Sequence, residues 1–244
     1  MSNHRTTRSH AGALTKDEVR RFEGLLVSRG KVLHKHPGVV RELLKKPKRV
    51  EGALLSLVPA QDPHDAARRQ WETLYRTFFG LNVDLSAVAI PAQKEGFTRL
   101  VIVAPGVTLN AAMEACRKHF PCWQYTDDLD RDVTVKPGTA QTGGYARWFR
   151  DRVEADEEAM NKSADDLESE QVPGIMLLER VLMELDYFER TKDHLDKENV
   201  TLCNGSRSSD GRVPDADWRG GEFHVYWCSR RSRHPSLRSR VAVS

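Results

Sequence analysis

Cysteine is scarce, four in 244 residues. That is too few to cross-link a chain of this size as a disulfide scaffold, so reduced thiols in the cytosol are the expectation. Long apolar runs are missing too. The longest, Leu100 to Val107, is broken by Pro105 and Gly106 and falls far short of the ~18 residues that a membrane span requires. The opening stretch, Met1 to Leu14, is polar and has no apolar centre, so no secretory signal is expected and the cytoplasm is the default location. Catalytic signatures are lacking as well. Thr142-Gly143-Gly144 has no Lys-Ser/Thr to complete a phosphate loop, and Gly205-Ser206-Arg207-Ser208 is not a nucleophile elbow. His194, Asp196 and Cys203 assemble on paper into a nucleophilic set, as residues of almost any chain this long would. A protein that is not an enzyme and carries no cofactor is the expectation, with an enzyme of unrecognised type as an alternative.

What the chain does have is a balance that can build a core, 39% hydrophobic and 30% charged residues, which excludes wholesale disorder. The length leaves room for one large domain or two modest ones at ~150 residues each. The net charge of +3 conceals an asymmetry. Residues 1–60 carry 13 Lys/Arg against 5 Asp/Glu, whereas 151–198 carry 6 against 16. The stretch 199–244 has 8 Arg, 4 acids and no Lys. Blocks of opposite sign can face each other within one molecule, which offsets part of their self-repulsion.

Along the chain, residues 1–13 read as a frayed tail. Thr15-Lys16-Asp17-Glu18 is a capping box, followed by the helical stripe Val19, Phe22, Leu25 and Leu26. A second helix spans Val39 to Leu44 and ends near Lys46-Pro47. Pro47 can open a third, and Asp62-Pro63 a fourth with Trp71, Leu74, Tyr75 and Phe78 inward. Together these make a helical bundle over 14–82, followed by a linker over 83–96. Phe97 to Val103 is a strand, Thr108 caps a helix through Ala111, Met113 and Cys116, and Trp123 to Tyr125 and Val133 to Val135 are short strands. The acidic segment Glu154 to Gln171 reads as a solvated helix and loop. Pro173 opens a helix with Leu178, Val181, Leu182, Leu185 and Phe188 on one stripe. From Asn199 the period becomes two, with turns at Ser208-Ser209-Asp210-Gly211 and Gly220-Gly221, the latter at hairpin spacing.

Two groups of potential metal ligands stand out. Cys116, His119 and Cys122 offer thiolates and an imidazole, but their spacing fits no paired zinc pattern, and core packing with a helix-end histidine is the competing reading. Asp127, Asp128, Asp130 and Asp132 offer hard oxygens without the glycine and closing glutamate of a calcium loop, and read as a polar turn. No metal is expected. Lys45, Lys46, Lys48 and Arg49 flank a helix junction, with Arg20, Arg21 and Lys35 nearby in sequence, so an accessory protein contacting nucleic-acid phosphates is a further alternative. Lys46-Pro47 breaks the continuity that a recognition helix would need.

From Arg207 to His234 the exposed-type residues are Arg, Ser, Asp, His, Tyr, Trp and Cys, with Lys and Gln absent and Glu found only at Glu222. Arginine and aromatics are what binding surfaces enrich, whereas a merely solvated face would favour Lys and Glu. Ser206, Ser208, Ser209, Asp210 and Gly211, then Trp218, Gly220 and Gly221, then Val225 and Trp227, and finally Arg238, Arg240 and Val241 follow an order of strand, turn, Trp, glycine turn, alternating strand, loop and closing strand. This order resembles the end of a C-type-lectin-like domain of the kind carried as the variable protein of diversity-generating retroelements. The family often begins this region with Trp-Ser-Ser, where this chain has Leu202-Cys203-Asn204-Gly205-Ser206. Its closing Gly-Phe-Arg is here Arg238-Ser239-Arg240.

The resemblance implies a rigid scaffold whose C-terminal strands and loops display side chains free to vary. Substitution at adenines of Asn codons yields Arg, Ser, Asp, His, Tyr and Cys but never Lys, Glu, Gln or Trp, which fits the absence of Lys and leaves Trp218, Glu222 and Trp227 as scaffold. Sulfatase-oxidising relatives rely on two neighbouring cysteines. Cys228 has none and Cys203 lies 25 positions away, so that activity is not carried over. The expected fold class is α+β, a small N-terminal helical bundle followed by a C-type-lectin-like domain over 97–244 with two helices and a short antiparallel sheet. The expected function is recognition of a protein or surface ligand by 205–244, through Arg207, Asp217, Arg219, His224, Tyr226, Cys228, Arg230, Arg231, Arg233 and His234.

Overall fold

The computed structural model describes residues 17, 20, 21, 23, 24, 27, 28, 31, 35–45, 62–135 and 143–244. The chain divides into two compact units, residues 1–61 and 62–244. In the first, the described positions between 17 and 31 are helical, and helix α1 runs Pro37–Lys45. The helix expected from Pro47 lies outside the described residues.

The second unit is a mixed α+β structure. Helix α2 (Asp65–Leu74) continues as a π-helical turn, Tyr75–Phe79, and stops at Gly80, whose φ of +67° suits glycine. Its apolar stripe, Trp71, Leu74, Tyr75 and Phe78, packs into the same core as strand β1 (Arg99–Val103) and helix α3 (Leu109–Arg117). The Tyr75 hydroxyl donates to the Ile102 carbonyl at 2.8 Å and accepts from the Ala104 amide at 3.0 Å, which locks α2 to the end of β1. This helix therefore belongs to the second unit, not to an N-terminal bundle. Residues 83–96 are not a free linker either. Leu85 and Val88 are buried in that core, Leu85 N–H donates to Glu72, and Arg68 donates to the Val88 carbonyl.

Among the described residues the strands form three sheets. β1 pairs antiparallel with β4 (Tyr145–Phe149). Strand β3 (Val133–Val135) pairs antiparallel with β6 (Ser206–Ser208). The largest sheet is five-stranded, in the order β2 (Cys122–Gln124), β8 (Glu222–Cys228), β7 (Val213–Arg219), β5 (Val200–Leu202) and β9 (Leu237–Arg238). It is mixed and not purely antiparallel, because both edge strands, β2 and β9, run parallel to their neighbours. Its centre is the β7–β8 hairpin, closed by Gly220 and Gly221 at φ +61° and +86°, the left-handed pair that a two-residue turn requires.

Helix α6 (Leu177–Thr191) crosses the core with Val181, Leu182 and Leu185 inward, and starts four residues after Pro173. The intervening backbone is already used, since Gly174 forms a β-bridge with Val241 and the Pro173 carbonyl accepts from the Ala242 amide. Glu179, Arg180 and Glu184 of α6 are fully buried. Arg180 donates to Glu184 at 2.7 Å and to Asp196 at 2.9 Å, and Arg240 donates to Asp196 at 2.7 Å and to the Val153 carbonyl at 2.7 Å. Two arginines and two carboxylates thus neutralise one another away from water, the condition under which buried charge is tolerated.

The acidic segment is docked on the domain. Asp156 is 1% exposed, accepting from Arg150 at 2.7 Å and from the Val241 amide at 2.8 Å. Helix α5 (Ala164–Ser169) starts at Ser163 through a capping box with Asp166. Its Ala164 and Leu167 join Leu202, Val213 and Leu237 in a second, smaller core on one end of the five-stranded sheet.

Candidate functional site

Counting outward from the Gly220–Gly221 turn sets what lies on each side of the hairpin. Arg219 pairs with Glu222, Asp217 with His224, Asp215 with Tyr226 and Val213 with Cys228. Phe223 and Val225 are buried in the main core, so the intervening residues take the opposite face. On the neighbouring edge strand Trp123 pairs with His224. Its indole lies 5.3 Å from the Tyr226 ring and 5.7 Å from the His224 ring, both near parallel. Trp123 is 39% exposed and Tyr226 43%, among the larger openings of aromatic surface in the described residues. The half of this face nearest β5 is covered by the second core, and the half nearest β2 is open.

On the same face, along β7, lie two carboxylates that burial makes unusual. Asp215 is 7% exposed, and loss of water pushes its carboxyl up to about 7. It shares a hydrogen bond with Cys228, whose thiol is itself pushed up to about 12, chiefly by burial. Asp217 is 5% exposed and is also raised by desolvation. One of its oxygens, Oδ1, has no hydrogen-bond partner, while Oδ2 faces Arg219 Nε at 3.6 Å.

The structure separates the residues expected in the binding surface into two groups. Asp217, Arg219, His224, Tyr226 and Cys228 share the sheet face just described. Arg207, Arg230, Arg231 and Arg233 instead converge on the acids of α5. Arg207 and Arg230 meet Glu168 at 3.0 and 3.1 Å, Arg230 also meets Asp165 at 2.8 Å, and Arg233 holds Asp166 through two bonds of 2.7 and 2.6 Å. Arg231 is the loosest, its side chain 90% exposed and 3.8 Å from Asp165. His234 turns to Ser236 at 2.6 Å. These arginines therefore have an intramolecular role, tethering the loop after β8 to α5, as the facing of opposite-sign charge blocks allowed. A shallow depression of about 710 Å³ opens between Arg212, Arg230, Arg231, Asp210 and Glu168.

No family model, curated protein or solved structure matches this chain. The chemistry must be read from its own side chains.

The other candidates are placed as follows. Cys116 is fully buried in α3, its thiol raised well above the usual value by burial, with the Cys122 sulfur hydrogen-bonded to it. His119 packs its ring 4.4 Å from that of Phe78. Asp128 caps the short helix α4 (Leu129–Asp132), Asp130 accepts from the Leu109 amide at 2.7 Å at the start of α3, and Asp132 accepts from Arg131 at 2.7 Å. The acidic turn therefore serves helix ends. Among the described residues no group of three or more His, Cys, Asp or Glu side chains is placed to hold a metal ion.

His194, Asp196 and Cys203 do not form a relay. His194 bonds Glu184 at 2.8 Å and stacks on Trp218, Asp196 belongs to the arginine network, and the buried Cys203 thiol is raised well above its usual value. Of the basic residues named for nucleic-acid contact, Lys45 ends α1 and is exposed. Lys46, Lys48 and Arg49 lie outside the described residues. Among the described residues no helix is long and apolar enough to cross a membrane. Trp123 and Asp215 were missed as site residues. The signal was available, because the glycine turn fixes the register that sets Asp215 opposite Tyr226.

Proposed function

We propose that the second unit is a non-catalytic recognition module that binds a protein ligand through the open half of its five-stranded sheet. The observation that carries this reading is the stacked pair Trp123 and Tyr226, two large rings left open side by side above a sheet whose other face is core. Rigid aromatic groups of this kind supply most of the binding energy at protein interfaces, since they bury a large area at small entropic cost. The scaffold beneath is independent of them, because the Arg180, Asp196 and Arg240 network and the β7–β8 register involve neither ring.

Display on a rigid frame is also what the resemblance to retroelement variable proteins implies. The outward positions of His224, Tyr226 and Arg219 support that likeness. A reverse transcriptase gene beside a near-copy of the 3′ coding end, differing at adenines, would be its genetic counterpart.

The test is a peptide-display selection against the immobilised full chain, followed by affinity measurement of the recovered peptides. Trp123→Ala and Tyr226→Ala are each expected to weaken binding about thirtyfold, the scale of an aromatic hot spot, with the melting temperature unchanged. Recovery of no binder, or of binders indifferent to both substitutions, refutes the proposal.

A further inference from the structure

Buried carboxylates elsewhere in the second unit are matched by cations. Glu184 and Asp196 face Arg180 and Arg240, and Glu179 lies 3.3 Å from Arg147. Asp217 departs from this pattern. Its side chain is 7% exposed, yet Oδ1 has no donor, and the cation beside it, Arg219, approaches only to 3.6 Å with a side chain that is 53% exposed. A desolvated carboxylate oxygen without a donor is costly to keep. Asp215, two positions away on the same face, is held by a thiol, which brings no positive charge. Glu222 adds a third carboxylate at the turn, 3.5 Å from His224.

The rings on the same face have the matching polarity. The faces of Trp123 and Tyr226 carry the negative side of the aromatic quadrupole. Asp217, Glu222 and the ring faces on the same side of the sheet attract the same kind of group, a cation with an apolar stem. An anionic ligand would be repelled by both. A neutral apolar one would leave the Asp217 oxygen as it is.

Resting on the recognition reading above, we infer that this face takes a basic side chain, lysine or arginine, from a protein partner. Its stem lies along Trp123 and Tyr226, and its charged head meets Asp217. Arg219 is the incumbent on that carboxylate, and a partner's cation displaces or supplements it.

The experiment uses the full chain and fluorescently labelled pentapeptides of sequence Gly-Phe-Xaa-Phe-Gly, with Xaa as Lys, Arg, Gln or Glu, followed by fluorescence anisotropy. The Lys and Arg probes are expected to bind at least tenfold more tightly than the Gln probe, and the Glu probe more weakly still. Asp217→Asn, which keeps the side-chain shape, should bring the Lys-to-Gln ratio close to one. Arg219→Ala should tighten the basic probes severalfold by removing the competitor. Equal or tighter binding of the Gln or Glu probe overturns the inference, as does a ratio unchanged in Asp217→Asn. If those neutral or acidic probes are released by Trp123→Ala, recognition through the sheet face survives and only the cationic assignment falls. If no probe binds, the inference is lost, and a display selection that also yields nothing takes the recognition reading with it.

Discussion

Replacing Asp215 by Asn should stabilise the protein at alkaline pH and leave it unchanged in acid. In the folded state burial lifts the Asp215 carboxyl from 3.8 to about 7. At about 1.4 kcal/mol for each tenfold change in proton affinity, that difference corresponds to about 4 kcal/mol. Because the folded value is the higher one, the stabilising contribution is fully present below pH 3.8. It declines as the unfolded chain begins to release a proton that the folded one retains, and it is gone above pH 7. Asparagine has the shape of the protonated acid and keeps an acceptor for the Cys228 thiol, yet has no ionised form to penalise.

The assay is urea unfolding, followed by tryptophan fluorescence, of wild type and Asp215→Asn at half-unit steps from about pH 3.5 to 8.5. The difference between the two proteins, and not either curve alone, is the quantity to plot. Other carboxylates move the wild-type curve the opposite way in acid: arginine neighbours hold Asp132 and Glu158 down to about 2, so their contribution is present above the ordinary carboxylate range and is lost as pH falls towards 2. These groups are common to both proteins and cancel. The difference should start near zero and climb to about 4 kcal/mol in favour of the variant. A flat difference, or a variant less stable at every pH, would refute the argument that desolvation dominates at this position.

Arg240→Ala should cost about 3–5 kcal/mol in urea unfolding, because it removes one of the two arginines that neutralise fully buried Asp196 and Glu184, leaving two carboxylates to Arg180, and takes a donor from each of two backbone carbonyls. Gly174→Ala should cost more than about 2 kcal/mol, since the new methyl would fall 1.6 Å from the Asn204 side-chain oxygen. A double variant with Asn204→Ala should recover part of that loss, and simple additivity would show that the clash is not with Asn204. Substituting Arg230, Arg231 and Arg233 together by Ala should lower stability by no more than about 2 kcal/mol, as their pairs with α5 are exposed. Proteolysis should then cut the loop after β8 faster, and an unchanged cleavage rate would argue against a tether.

Local chemistry was the legible part. Thr108 caps α3 through the Ala111 amide, the β1 run is a strand, and the glycine pair closes the hairpin. The alternation placing His224, Tyr226 and Cys228 opposite Phe223 and Val225 was equally readable, because period two needs no knowledge of the partner. What an element packs against was not readable. The stripe of α2 announces an apolar face, and Trp71 would look the same against an N-terminal helix as against β1. Charge misled in a similar way. Glu179, Arg180 and Glu184 fall outside the apolar stripe of α6 and are buried all the same, since a pattern of apolar and polar letters has no symbol for a neutralised cluster. The arginines of the C-terminal loop read as free for the same reason: their acids lie more than sixty positions upstream.

Residues 240–243 tie together distant parts of the second unit. Arg240 completes the ion network, Val241 bridges to Gly174, and Val243 bridges to Trp148. On a translating ribosome the second unit must therefore wait. Until residue 243 has emerged, β4 lacks its last neighbour and Asp196 has only Arg180 for company, so a nascent intermediate with a water-accessible carboxylate and an open core should be the species that chaperones meet. Folding of the second unit is then bound to the emergence of residues 240–243, and a stall before them leaves the unit open.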